Sequence, residues 1–185
     1  GRAVFTDSYA VIPGGTMQDI VASYLPFWEG TRAWVLARPM TGFAETFSQY
    51  IMEVSPGGGS DTPETDPEAQ GVLFVVEGSA TLTVGGKPHL LSEGGFAYLP
   101  PETDWTLRNE ASGILRFHWI RKAYQAVPGL GRPDVIITNE KEIAPAVMPH
   151  TEGKWATTRF VDPNDLRHDM HVTIVTLQPG AVIPF

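Results

Sequence analysis

Short apolar runs, each stopped by glycine or proline, constrain this chain more than any other feature. Its 185 residues include 19 Gly and 16 Pro, and these do not gather into low-complexity tracts. They punctuate Trp34–Ala37, Phe47–Val54, Val72–Val76, Ala80–Val84, Lys87–Leu91, Gly95–Leu99, Asp104–Asn109 and Ile114–Ile120. Runs of this length suit strands and are too short for ordinary helices. Their regular spacing predicts an all-β jelly-roll barrel. Gly85-Gly86 lies between two such runs and favours a primed hairpin turn, because both residues can take positive φ. Pro56-Gly57-Gly58-Gly59 is expected to end the strand before it. The polar stretch 59–69 (GSDTPETDPEA) is expected to form a loop at the barrel rim.

The runs divide the chain. Residues 1–30 read as an N-terminal arm, with Val4, Phe5, Tyr9, Val11 and Ile12 ahead of a Pro13-Gly14-Gly15 turn. Residues 31–122 read as a complete barrel. Residues 123–160 read as a connector, broken by Pro128-Gly129 and Gly131-Arg132-Pro133, with a helical turn near Thr138–Ile143. Residues 161–185 read as the start of a second barrel, with a strand over Met170–Leu177 ended by Pro179-Gly180. A weak internal repeat supports this division. Phe47–Gly57 aligns without gaps on Met170–Gly180, and the two proline-glycine pairs fall at the same place.

Charge removes several functions. With 13 basic against 21 acidic residues the net charge is −8, which argues against nucleic acid and against an anionic membrane surface. The absence of cysteine excludes disulfides, thiolate nucleophiles and zinc–sulfur sites. No apolar run nears the roughly 18 residues that span a bilayer. Gly1-Arg2-Ala3-Val4 does not read as a secretory signal, and with no initiator Met the chain is expected to start inside a longer gene product. The compartment expected from these features is the cytoplasm. No GxSxG elbow occurs, and the glycines at 57–59 are followed by no lysine and no helix, so neither serine-hydrolase nor phosphate-loop chemistry is indicated.

Gly78, Gly94, Pro100 and Asn109 form a spaced skeleton across residues 56–109. It resembles the two sequence motifs of the cupin superfamily, which carry metal ligands between such residues. Where cupins place those ligands, this chain has Glu64, Asp66, Gly71 and Trp105, and Glu102 stands at a motif glycine. Tryptophan offers only an N–H donor and glycine offers nothing, so the frame is expected to hold no metal. Trp105 is expected to fill the space instead.

Four stretches carry a closer resemblance: WVLARPMTGFAETFSQYIMEVSPGGG (34–59), LFVVEGSATLTVGG (73–86), LLSEGGFAYLPP (90–101) and HDMHVTIVTLQPGA (168–181). Together they resemble the N-terminal two-thirds of the (S)-ureidoglycine aminohydrolase family, bicupins of purine (allantoin) catabolism. The resemblance implies a ligand-poor first cupin. It also implies a second cupin that binds manganese through a glutamate, two histidines and a glutamine. The first three of these would follow the strand ending at Pro179-Gly180. The chain ends at Phe185, so no metal ligand is carried over.

The five histidines are His89, His118, His150, His168 and His171. None is spaced as a metal pair. His168 and His171 would lie on opposite faces of a strand. His171 shares a face with Thr173, Val175 and Leu177 and is the candidate substrate-binding residue, its plainer role being a hydrogen-bonded histidine of the barrel wall. His118 is expected to be a satisfied core or interface residue, and His89 and His150 to be exposed. The resemblance implies ammonia release from a small ureidoglycine-like substrate to give (S)-ureidoglycolate. The alternative is a metal-free cupin acting as a binding or oligomerisation module. Both readings imply a homo-oligomer, because an unfinished second barrel would leave strand edges and apolar faces open.

Overall fold

The computed structural model describes residues 2–6, 9–15, 25–38 and 46–183. Residues 16–24 of the expected arm, and 39–45 within the first family-like stretch, lie outside these. Short strands β1 (Val4–Phe5) and β2 (Ala10–Val11) pair antiparallel at the start. The barrel follows as β3 (Glu29–Ala37), β4 (Phe47–Ser60), β5 (Ala69–Glu77), β6 (Ser79–Val84), β7 (Lys87–Ser92), β8 (Gly95–Leu99), β9 (Trp105–Arg108) and β10 (Leu115–Ala123). Then come β11 (Ile136–Asn139), β12 (Ala146–Val147), β13 (Trp155–Arg159) and β14 (Thr173–Leu177). Among the described residues no helix is long and apolar enough to cross a membrane.

The large sheet runs β11-β8-β5-β10-β4-β9-β6-β7, with β3 added beside β4. Its two ends, β7 and β11, approach each other, so the sheet curls into a nearly closed barrel. This is the all-β jelly roll that the punctuated runs predict. Gly85 and Gly86 take φ of 54° and 78°, and the β6–β7 register closes on Val84 opposite Lys87. That is the two-residue primed hairpin.

The glycines after Pro56 do not end their strand, contrary to expectation. β4 continues through them to Ser60 and changes partners on the way. Over Phe47–Val54 it pairs with β10, and at Gly59–Ser60 it pairs with β9. Asn109 fixes the change: Gly57 N–H donates to its carbonyl (2.8 Å), and its own N–H donates to Gly58 O (2.9 Å). The Asn109 side chain, fully buried, donates from Nδ2 to Val54 O and Gly113 O, each at 2.9 Å. At Gly59 φ is 140°, and a Cβ would sit 2.0 Å from Leu107 O. No other residue fits there.

The sheet around β5 is buried on both faces, which accounts for the near-continuous apolar run Val72–Val76. Leu73, Val75, Ala97, Leu99, Phe117 and Trp119 point into the barrel core. Val72, Phe96, Tyr98 and Phe160 form a second cluster on the outside, with Met170, Val172 and Ile174 packed against it. Phe160 stacks on Phe96 with centroids 4.1 Å apart and planes 3° apart. Burying such a ring contributes about 2–3 kcal/mol.

The stretch 123–160, expected as a connector, carries strands. β11 pairs with β8 at the barrel edge. β12 and β13 pair with each other, and β13 with β14, in a separate three-stranded sheet. The helical turn near Thr138 is a single 3-10 turn, Glu140–Glu142, capped by the Asn139 side chain. The strand expected over Met170–Leu177 starts at Thr173.

Candidate functional site

The barrel mouth gathers every position at which the cupin frame expects a ligand. Glu64, Asp66, Gly71 and Trp105 line one cavity of about 250 Å³, together with Trp119 and Leu99. Glu102, at the motif-glycine position, also borders it and takes φ of 60°. A non-glycine residue there keeps the left-handed backbone of the glycine it replaces.

Trp105 is the residue expected to fill the metal's place. Trp105 is buried there (6% exposed), but a second indole lies closer to the missing carboxylate. Trp119 on β10 is 3% exposed, and its Nε1 would lie 3.3 Å from a Cβ at Gly71. Trp28 and Trp105 flank it, at 5.5 and 6.1 Å between centroids. Trp119 was missed because nothing in the motifs marks its position. The signal that could have found it is alternation along β10. Leu115, Phe117 and Trp119 share the inward face, and Trp119 is opposite Leu73, two residues from Gly71.

Two residues beyond Trp119 on the same strand, the Arg121 guanidinium stacks over its ring at 5.0 Å. Arg121 Nε also donates to Glu64 Oε2 at 2.6 Å. Burial opposes the Arg121 charge, but the Glu64 carboxylate outweighs it and raises the pKa. Glu64 is thus committed to an ion pair, with 13% of its side chain exposed. The Trp119 Nε1–H, by contrast, finds no acceptor among the described residues.

These side chains do not fit a divalent metal. Gly71 supplies no ligand atom, and the indoles of Trp105 and Trp119 carry an N–H but no lone pair to give a metal. Of the two carboxylates at the expected ligand positions, Glu64 is bound to Arg121. Among the described residues no three of His, Cys, Asp and Glu converge elsewhere in a metal-binding group.

A second polar assembly lies where the barrel meets the β12–β14 sheet. Tyr98 Oη donates to Gln70 Oε1 at 2.9 Å, and Gln70 Nε2 donates to Asp169 Oδ1. Asp169 also pairs with Lys122 and accepts from Gln125 N–H at 2.9 Å. Burial pushes the Asp169 carboxyl up, yet the bonds from Gln70, Lys122 and Gln125 together hold it below its ordinary value. Burial, then the nearby Asp169 charge, raises the Tyr98 phenol. His168 packs edge-on against Tyr98 at 4.7 Å. Its Nε2 is 3.7 Å from Asp165 and its Nδ1 has no partner among the described residues. Burial lowers its pKa although Asp165 opposes that.

His171 is exposed and precedes β14, so strand alternation does not govern it. Its ring lies 6.3 Å from that of His168 rather than across a sheet from it. Thr173, Val175 and Leu177, the residues that share its expected face, are all exposed, whereas Val172 and Ile174 pack on the barrel. His118 Nδ1 meets Gln49 Nε2 at 3.3 Å, and burial lowers its pKa. His150 is exposed, while His89 is half-buried within β7.

Known proteins share this architecture. The EutQ-like cupin domain family matches residues 41–124. The (S)-ureidoglycine aminohydrolase of Escherichia coli (strain K12) is 27% identical over 168 residues, 90% of this chain and 62% of that enzyme. The chain therefore spans less than two thirds of that relative's length. The crystal structure of protein Ylba from E. coli is 26% identical with a TM-score of 0.83, covering 98% of this chain and 69% of the other. The crystal structure of a Pseudomonas aeruginosa protein described as glyoxylate-induced is 59% identical with a TM-score of 0.93. That match covers all of this chain and 69% of the other. With identity that high along its whole length, the chain belongs to the cupin family of the glyoxylate-induced protein and the (S)-ureidoglycine aminohydrolase.

Proposed function

We propose that the full-length protein is a manganese-dependent aminohydrolase that releases ammonia from (S)-ureidoglycine to give (S)-ureidoglycolate, in the cytoplasm and as a homo-oligomer. The observation that carries this reading is the 27% identity to the E. coli enzyme, sustained over 90% of the chain. The barrel mouth is consistent with it: tryptophans fill the place of a metal, so the chemistry belongs to the second barrel. No residue of this chain is assigned to the manganese, whose ligands would follow β14. His171, exposed just before that strand, is the residue proposed to contact substrate. The test is ammonia release from (S)-ureidoglycine by the full-length protein, with and without added manganese. Turnover that needs the metal is expected, and no turnover by the manganese-loaded protein would overturn the reading.

The Trp119-filled mouth also favours a second reading, a metal-free module for binding or oligomerisation. The reading frame past codon 185 separates the two. A Glu-x-His-x-x-x-His pattern there supports the enzyme, and a stop codon supports the module.

A further inference from the structure

The first barrel's mouth is filled where a metal would sit, yet it is not full. A cavity of about 250 Å³ remains, at the small end for ligand sites. At its inner end the Trp119 Nε1–H, on a side chain 97% buried, faces the space left open by Gly71 and has no acceptor among the described residues. A buried donor left unpaired is costly, and native proteins rarely leave one so. At its outer end stand the carboxylates of Asp66 and Asp104, neither in an ion pair among the described residues. The wall between is apolar, with Leu99 and the Trp105 indole.

We infer that this mouth is a binding site for a small neutral carboxamide, distinct from any site in the second barrel. The carbonyl oxygen would accept from Trp119 Nε1–H, and the amide N–H groups would donate to Asp66 and Asp104. The pattern excludes the charged alternatives. An anion meets four rim carboxylates (Glu64, Asp66, Glu102 and Asp104) against Arg121 and Arg132, which pair with two of them. A cation such as an ammonium suits Asp66 and Asp104 at the rim, but it carries only N–H donors and leaves the Trp119 N–H at the inner end without an acceptor. A neutral molecule with an acceptor at one end and donors at the other satisfies both. The chain has five tryptophans, so their indole N–H groups are resolvable reporters.

The experiment is a ¹⁵N-tryptophan NMR titration of the protein with acetamide, using acetate and methylammonium as charged controls. Trp119→Phe assigns the signal. The expected result is a saturable downfield movement of the Trp119 Nε1–H peak by acetamide, with a dissociation constant in the millimolar range typical of so small a ligand. Gly71→Ala places a methyl group against Nε1 while keeping the indole. It should weaken binding at least tenfold, with the other four indole peaks in place as proof of folding. Asp66→Asn with Asp104→Asn, on the exposed rim, should weaken it severalfold. The inference is overturned if acetamide leaves the peak unmoved, as it would if only water satisfies the N–H. It is also overturned if Gly71→Ala binds equally well, or if acetate or methylammonium moves the peak as far. Failure of ammonia release by the full-length protein would leave this result standing, because the two sites lie in different barrels.

Discussion

β4 and β14 carry the same pattern, an apolar alternation followed by proline and glycine, and meet different fates. On β4, flanked by β3, β9 and β10, Met52 and Val54 are fully buried in the barrel core. On β14, which has one strand partner among the described residues, Val175 and Leu177 are 47% and 43% exposed. Alternation therefore specifies which face is apolar, but the number of strands around it decides whether that face is covered. The barrel is stabilised by its own core. Among the described residues the three-stranded sheet is held from one side, through Phe160, Val172, Ile174 and the Asp169 network.

The comparison breaks most sharply at single core positions. Phe117→Ala, at a fully buried site on β10, should cost about 3–5 kcal/mol in urea unfolding. Val175→Ala, on the open face of β14, should stay within about 0.5 kcal/mol. Equal losses would mean that the β14 face is covered in solution, as the expected homo-oligomer would require.

Next in size is the joint between the regions. The Lys122 and Asp169 side chains are only 15% and 16% exposed, and Asp169 also holds Gln70. Asp169→Ala leaves a buried ammonium and a buried amide short of partners, at a cost of about 2–3 kcal/mol. Hydrogen exchange should quicken in β13 and β14 and change little in β5 and β8. Uniform quickening would show that the two regions unfold as one unit.

A smaller effect comes from pH. The His168 pKa is lowered by burial, so the unfolded chain binds a proton more readily than the folded one. Its contribution is present above its unfolded pKa of about 6.5 and is lost as pH falls below it. His118, lowered in the same way, acts in the same direction from inside the barrel sheet. Asp169, held below its ordinary value, and Asp165, held at about 2 by Arg167, contribute above about pH 4 and fail as pH falls further. Melting temperature should therefore fall from pH 7 to pH 5 and again below pH 4. His168→Gln should flatten the first step, and an unchanged slope would show that His168 is charged in the fold.

How much of this was legible in the sequence follows from the range of each interaction. Gly85-Gly86 and the short runs act locally, so the hairpin and the strands could be read directly. The spaced skeleton placed Gly71 and Trp105 at the mouth. Trp119 and Arg121 could not be read there, because their closeness to Gly71 arises from the β10–β5 register, a pairing across some fifty residues. The glycines after Pro56 misled for the same reason. In isolation they read as a stop, but Asn109, far along the chain, turns them into a strand that changes partners.

The smallest effect concerns ion pairs of equal chemistry in unequal surroundings. Arg108 on β9 reaches Asp61 at 2.6 Å and Glu29 at 3.3 Å, the first nearly as short as the buried Lys122–Asp169 pair at 2.5 Å. Both carboxylates are more than 70% exposed, however, so water solvates them whether or not the guanidinium is present. Their raising of the Arg108 pKa does not translate into comparable stability. Arg108→Ala should cost less than about 1 kcal/mol, and about 0.1–0.2 M salt should erase most of that. The Asp169 loss should resist the same salt, since Lys122 and Asp169 are shielded from counterions. A salt-sensitive Asp169 effect would place that pair in solvent and leave the joint between the two regions to the apolar contacts of Phe160, Val172 and Ile174, the Tyr98–His168 ring contact and the Tyr124 hydroxyl on Arg167 O.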